Sequence, residues 1–160
     1  MSRPLLIAIV ILTVGGWPAS ARTLHVPSQY ATIHAGLNAA VAGDTVEVAC
    51  GTYTFDDISM KSGVILRSET GYPECVILWS LAGWGRFQCL GVTETTIIEG
   101  FTFTGARTFS ALECGDQSAP TICHCVFREN RSYLSSYAGG VTCWDSSPVF
   151  DHCVFEDNSA

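Results

Sequence analysis

One segment of this chain occurs twice. Ser118–Asn130 aligns without a gap on Ser146–Asn158, and seven positions are identical: Ser118/Ser146, Pro120/Pro148, His124/His152, Cys125/Cys153, Val126/Val154, Phe127/Phe155 and Asn130/Asn158. A fixed period of about 20 to 50 residues is the mark of a solenoid, whose repeats bury their apolar faces only by stacking on one another. The pattern reaches further back. Ile98, Phe101 and Phe103 form an earlier copy of the set Ile122, Cys125 and Phe127, and Phe150, Cys153 and Phe155 form a later one. In each set the second member follows the first at i+3 and the third follows the second at i+2. A step of two keeps side chains on one face of a strand. A step of three needs a corner, which falls at Gly100, His124 and His152. Each repeat reads as a strand, a bend and a second strand, with all members of each set pointing inward. Asn130 and Asn158 close their repeats at a tight turn, where stacked amides are expected to bridge successive coils.

The rest of the chain agrees with this reading. After Tyr53 come short apolar runs, among them Val64–Leu66, Val76–Leu78, Phe87–Cys89, Ala111–Cys114 and Val141–Cys143. Gly, Ser, Asp and Pro punctuate them at intervals too small for helices. One helix is expected. From Thr32, the residues Ile33, Leu37, Ala40 and Val41 share a face, over roughly residues 32–42. Gly43 is expected to end it in the left-handed conformation. Strands at 23–26 and 45–48 flank it, and its expected task is to cover the open end of the first coil.

The stretch before Arg22 stands apart. Ser2 and Arg3 lead into the apolar run Leu5–Val14, followed by Gly15, Gly16, Pro18 and the small-x-small stretch Ala19-Ser20-Ala21. This order reads as a secretory signal peptide cleaved after Ala21. The run is shorter than the roughly 20 residues a membrane-spanning helix needs. The organisation expected is a signal peptide over 1–21, a cap and first strand over 22–53, and coils over 54–160. The chain is expected to be exported, secreted or held at the cell surface. Ala160 arrives just after Asn158, where a further coil is due. A longer protein is therefore expected, and residues 22–160 alone are expected to self-associate through the open end.

Charge narrows the partners. Eight Lys and Arg face 15 Asp and Glu, for a formal net charge of −7, and Lys61 is the single lysine. Nucleic acid needs clustered basic residues, so it is disfavoured, as is an anionic membrane surface. Polysaccharide, or another surface protein, is the expected partner. Eight cysteines permit disulfides in an exported chain. The pairs Cys125/Cys153 and Cys114/Cys143 fall at equivalent repeat positions and are read as ladders of buried thiols. Disulfides elsewhere stay open. Zinc at Cys123-His124-Cys125 is the weakest reading, because neighbouring strand residues point to opposite faces.

Val26-Pro27, Tyr30, Thr32-Ile33, Gly43-Asp44-Thr45-Val46, Val48 and Gly51-Thr52-Tyr53 resemble the N-terminal cap and first coil of the pectate-lyase-like superfamily. The later coils resemble the SSPxIxxCxF repeats of exported β-helix proteins. Phe127-x-x-Asn130, Phe155-x-x-Asn158 and Gly139-Gly140-Val141 are similar to the FxxN and GGA[IV] repeats of polymorphic outer-membrane proteins. Ala49-Cys50 departs from the Pro usual before Gly-Thr-Tyr. The resemblance implies an all-β fold: a right-handed parallel β-helix solenoid with an N-terminal amphipathic capping helix.

Architecture alone does not give an activity. A lyase would need acidic residues to hold Ca²⁺ against a uronate and an Arg or Lys to take a proton. A hydrolase would need two facing carboxylates. The candidates are Asp56, Asp57, Glu99, Glu113, Asp145, Asp151, Arg128 and Arg131. Glu99 and Asp151 fall on one face two coils apart, about 10 Å at the strand spacing, with no basic partner in view. Solvated surface charge explains them better. His124 and His152 read as stacked corner imidazoles. Trp79, Trp84, Trp144, Tyr133 and Tyr137 are candidates for stacking on sugar rings, with Trp79 and Trp84 placed in a Gly-rich insertion. The leading expectation is a non-catalytic exported scaffold for surface adhesion or glycan contact. The alternative is part of a pectate-lyase-like enzyme whose active coils lie downstream. No catalytic, cofactor-binding or metal residue is assigned, and Ca²⁺ is expected only under the lyase alternative.

Overall fold

A computed structural model describes residues 20–80, 85–134 and 136–160. Nearly all of the signal-peptide reading, and Trp84, lie outside the described residues. The described chain is a parallel β-solenoid of about 5 turns. It opens with β1 (Thr23–Val26) and α1 (Ile33–Ala39). The first three-stranded turn is β2 (Thr45–Val48), β3 (Gly51–Phe55) and β4 (Ile58–Ser59). The second is β5 (Ile65–Ser68), β6 (Val76–Ser80) and β7 (Phe87–Leu90). The third is β8 (Ile97–Glu99), β9 (Phe101–Thr104) and β10 (Leu112–Gly115). Then come β11 (Thr121–Cys123), β12 (Val126–Arg128) and β13 (Val141–Cys143), and finally β14 (Val149–Asp151) and β15 (Val154–Glu156).

Successive turns stack into three wholly parallel sheets. They are β1-β2-β5-β8-β11-β14, then β3-β6-β9-β12-β15, then β4-β7-β10-β13, named here the first, second and third sheets. The expected repeat of two strands is therefore incomplete. The third strand comes from the runs at 87–90, 112–115 and 141–143, which keep no fixed spacing from the other two. The loops before them differ in length, which hides the period.

The registers pair like with like, as stacking of inward residues requires. Ile98 pairs with Ile122 and Ile122 with Phe150, and Phe103 pairs with Phe127 and Phe127 with Phe155. Ile98, Phe101, Phe103, Ile122, Cys125 and Phe127 are all fully buried. The rings of Phe103, Phe127 and Phe155 stack with centroids 4.8 and 5.0 Å apart. Burial fades along this column, and Phe155 in the final turn is 51% exposed.

The helix caps the first turn as expected. Thr32 Oγ1 accepts the Ala35 N–H at 3.1 Å, and Ile33, Gly36 and Leu37 are buried. The helix ends earlier than its apolar spacing suggests. Ala40 is already extended, and the Val41 N–H goes to Asp44 Oδ2 at 3.0 Å instead of continuing the helix. Val41 is left exposed. Gly43, at φ +91°, then turns the chain into β2 rather than closing the helix.

Asp44 fastens this end of the molecule. Arg22 Nη2 lies 2.6 Å from its Oδ2, and the Arg22 backbone N is 3.0 Å from its Oδ1. Cleavage after Ala21 would turn that backbone N into an ammonium beside the same carboxylate. The Arg22 guanidinium, followed by the Val41 N–H, holds the Asp44 carboxyl well below its ordinary value of 3.8. A carboxyl lowered in the folded state adds stability above its unfolded pKa and loses it as pH falls toward the folded one. Asp44→Asn is therefore expected to be less stable than the parent at pH 7. Its urea midpoint should also change less than the parent's as the pH drops below about 4. Identical acid profiles would remove Asp44 from this role.

Candidate functional site

The corner between the first and second sheets gathers the richest set of reactive side chains among the described residues. Along the outward face of the first sheet, the registers align His25, Glu47, Arg67, Glu99, Cys123 and Asp151 in one column. Arg67 Nη2 donates to Glu47 Oε2 at 2.7 Å, and His25 Nδ1 is 3.3 Å from Glu47 Oε1. The expectation that Glu99 has no basic partner is thus corrected. The partner is His124, whose Nδ1 lies 4.0 Å from Glu99 Oε1; Arg67 stands directly below in register but gives its guanidinium to Glu47.

Cys123 and His124 lie on the same side of the chain, not on opposite faces. Side chains alternate only while the backbone stays extended. His124 is not extended: its φ is +50°, and His152 above it shares that value. The corner swings the imidazole back to the side of Cys123. One carboxylate oxygen of Glu99, the Cys123 sulfur and one His124 nitrogen consequently lie within 4.8 Å of one another. The expected imidazole stack exists, with ring centroids 5.2 Å apart. His152 Nδ1 is engaged by Asp151 Oδ1 at 2.7 Å, whereas His124 Nδ1 is shielded from solvent with no hydrogen-bond partner. The exposed Tyr72 ring meets His124 edge-on at 6.4 Å and walls one side.

Thiols recur at this corner and beyond it. Burial, then the charges of Glu99, Cys153 and Asp151, pushes the Cys123 thiol up to about 11. The hydrogen bond from Cys125 lowers Cys153 to about 7, while burial raises Cys125 itself. The expected ladders are present as free thiols, and Cys89 joins Cys114 and Cys143 in register. Cys143 is exposed rather than buried, because the turn beyond it lacks a third strand among the described residues. One disulfide joins Cys50 to Cys75 across successive turns.

The remaining candidates are scattered. Asp56 and Asp57 line a groove of about 740 Å³ beside His34 and the unpaired edge of β3. Arg86 Nε is 3.5 Å from Asp57 Oδ1. Arg128 is exposed on the second sheet opposite Glu156, Arg131 donates to Ser159 Oγ, and Asp145 is exposed. Glu113 is buried on the third sheet, holding Gln88 Nε2 and Trp144 Nε1 at 3.0 Å each.

The aromatic candidates divide. Trp79 lies in β6, not in the insertion after it. Its indole covers Gly105, and the indole of Trp144 covers Gly115 so closely that any Cβ there would collide with the ring. Both rings thus rest on the third turn, one reaching up from below and one down from above, and each is 45% exposed. Tyr133 is exposed, and Tyr137 packs edge-on against Phe109. Comparisons with protein-family models, curated proteins and solved structures find no match to this chain.

Proposed function

We propose that this chain is an exported, non-catalytic β-helix scaffold that contacts glycan through its lateral aromatic side chains. The observation that carries the reading is the pair of half-exposed indoles, Trp79 and Trp144, seated on glycines of the same turn. A flat ring fixed against backbone offers its free face to a sugar ring at little entropic cost. Gln88 and Thr142 stand in register with Glu113 on the third sheet, whose strand β10 ends at Gly115 under Trp144. The acidic balance favours a neutral polysaccharide over an anionic one. The pectate-lyase-like and outer-membrane repeat resemblances belong to this proposal, as does a place outside the cytoplasm.

Affinity electrophoresis through gels containing neutral or acidic polysaccharides tests it. A neutral polysaccharide should retard the protein, and Trp79→Ala and Trp144→Ala should each weaken retardation roughly fivefold, about 1 kcal/mol of stacking. Equal retardation of the double variant would end the reading. The second reading, a polysaccharide lyase, has one feature in its favour: Arg67 stands between Glu47 and Glu99 in a single column. Release of unsaturated uronate from pectate with Ca²⁺, lost in Arg67→Ala, would replace the scaffold reading by that one.

A further inference from the structure

The corner cluster contains one carboxylate, one thiol and one imidazole. We infer that Glu99, Cys123 and His124 form a binding site for a borderline divalent cation of the zinc type, with a fourth position left open to solvent or ligand. The inference does not depend on the glycan reading, which rests on another face of the molecule.

The donor set selects the metal class. Calcium and magnesium take hard oxygen ligands, whereas sulfur with nitrogen and one carboxylate oxygen suits zinc. Zinc is bound at about 2.0–2.3 Å, so tetrahedral donors stand roughly 3.3–3.8 Å from each other. Here all three donor atoms already lie within 4.8 Å, and Glu99 Oε1 to His124 Nδ1 is 4.0 Å. Closing the set takes movements of under about 1 Å, which side-chain rotations supply. Two other observations point the same way. His124 Nδ1 is shielded from solvent and makes no hydrogen bond, its Glu99 carboxylate standing off at 4.0 Å, while the equivalent atom of His152 has a carboxylate 2.7 Å away. The groups facing the cluster also leave it net acidic. Arg67 is committed to Glu47, and Asp151 lies in register on the other side of Cys123. Three protein ligands plus an open position is the arrangement zinc adopts where it meets a substrate or partner rather than only staple a fold.

Cobalt(II) reads out sulfur ligation and geometry directly. Chelator-stripped protein kept under inert gas without reductant, so that the Cys50–Cys75 disulfide stays closed and its thiols cannot compete, is expected to bind one equivalent of Co²⁺ with a thiolate-to-metal charge-transfer band and strong visible absorption of tetrahedral type, both abolished by added Zn²⁺. Cys123→Ser should lose the charge-transfer band. Glu99→Gln and His124→Asn should weaken binding at least about 10-fold. Cys153→Ser should keep the full spectrum, and thermal melts followed by circular dichroism check that each variant folds. Absence of the bands in the parent protein overturns the site. So does their persistence in Cys123→Ser, or their loss in Cys153→Ser, which would move the metal to other thiols.

Discussion

Asn130→Ala is expected to cost about 2–3 kcal/mol of folding stability, one stranded backbone N–H together with the lost amide bonds. The amide is fully buried and joins three turns of the solenoid. Its Oδ1 accepts the Ala106 N–H at 3.1 Å, and its Nδ2 donates to Phe103 O and to Asn158 Oδ1 at 3.0 Å each. Alanine would strand the Ala106 N–H, on a fully buried residue, whereas the Phe103 carbonyl keeps its place in the β9–β12 ladder and loses only its second donor. Each orphaned buried group costs about 1–3 kcal/mol, because it has given up water and received nothing. Asn158 repeats the motif one turn higher. It donates to Phe127 O at 2.7 Å and accepts from the Asn130 N–H, but it is only half-buried. Water can replace its bonds, so Asn158→Ala should cost about 1 kcal/mol. Urea unfolding of both variants with unchanged m-values measures the contrast. Equal losses at the two positions would mean that the ladder contributes through contact alone and not through satisfying buried backbone.

The ladder is legible in sequence because it depends on period, and period survives in one sequence. The same holds for the inward column Ile98, Ile122 and Phe150 and for the corners at Gly100, His124 and His152. The spacing of three followed by two locates a bend that the structure places at those residues, all with positive φ. The third sheet is harder to see, since loops of unequal length separate its strands from the second. The donor cluster is invisible for a different reason. Strand alternation puts Cys123 and His124 on opposite faces, and only the left-handed backbone at the corner brings them together. Glu99 reaches the same spot from the preceding turn through register, not through local spacing. The spacing implies the corner but not its consequence for side-chain direction, which follows from φ once the bend is not treated as strand. The platform under Trp79 escapes notice likewise, since a residue pairing Thr54 and Thr104 across the second sheet looks in sequence like the start of a loop.

Gly100→Ala should be the most damaging single-methyl addition at this corner, at about 2–5 kcal/mol, because two costs combine. Gly100 has φ +78°, a left-handed conformation that costs a side-chain-bearing residue about 1–2 kcal/mol. A Cβ there would also overlap Ser68 Oγ and come within 2.5 Å of the Gly71 backbone carbon. The hydroxyl can rotate away but the backbone cannot, so overpacking adds about 1–3 kcal/mol. His124 and His152 occupy the equivalent corner one and two turns above with φ +50° and carry full side chains. The difference is therefore the neighbour below, not the bend. The loop holding Gly71 and Tyr72 presses on Gly100 from the turn beneath. Gly71 also lies 3.6 Å, measured from where its own Cβ would be, from Glu99 Oε1. A shift of that loop would carry Tyr72 with it and crowd the adjacent Glu99 carboxylate. Gly100→Ala should accordingly lower the urea midpoint and, in protein that remains folded, weaken Co²⁺ binding although no ligand is changed. His124→Gly provides the opposite combination. It relieves the left-handed strain, so stability should change by less than about 1 kcal/mol, while the cobalt spectrum should be lost with the imidazole. Stability and metal affinity falling together in Gly100→Ala but separating in His124→Gly would tie the cation site to the packing of this corner. Unchanged cobalt affinity in Gly100→Ala would show that the loop yields without moving Glu99.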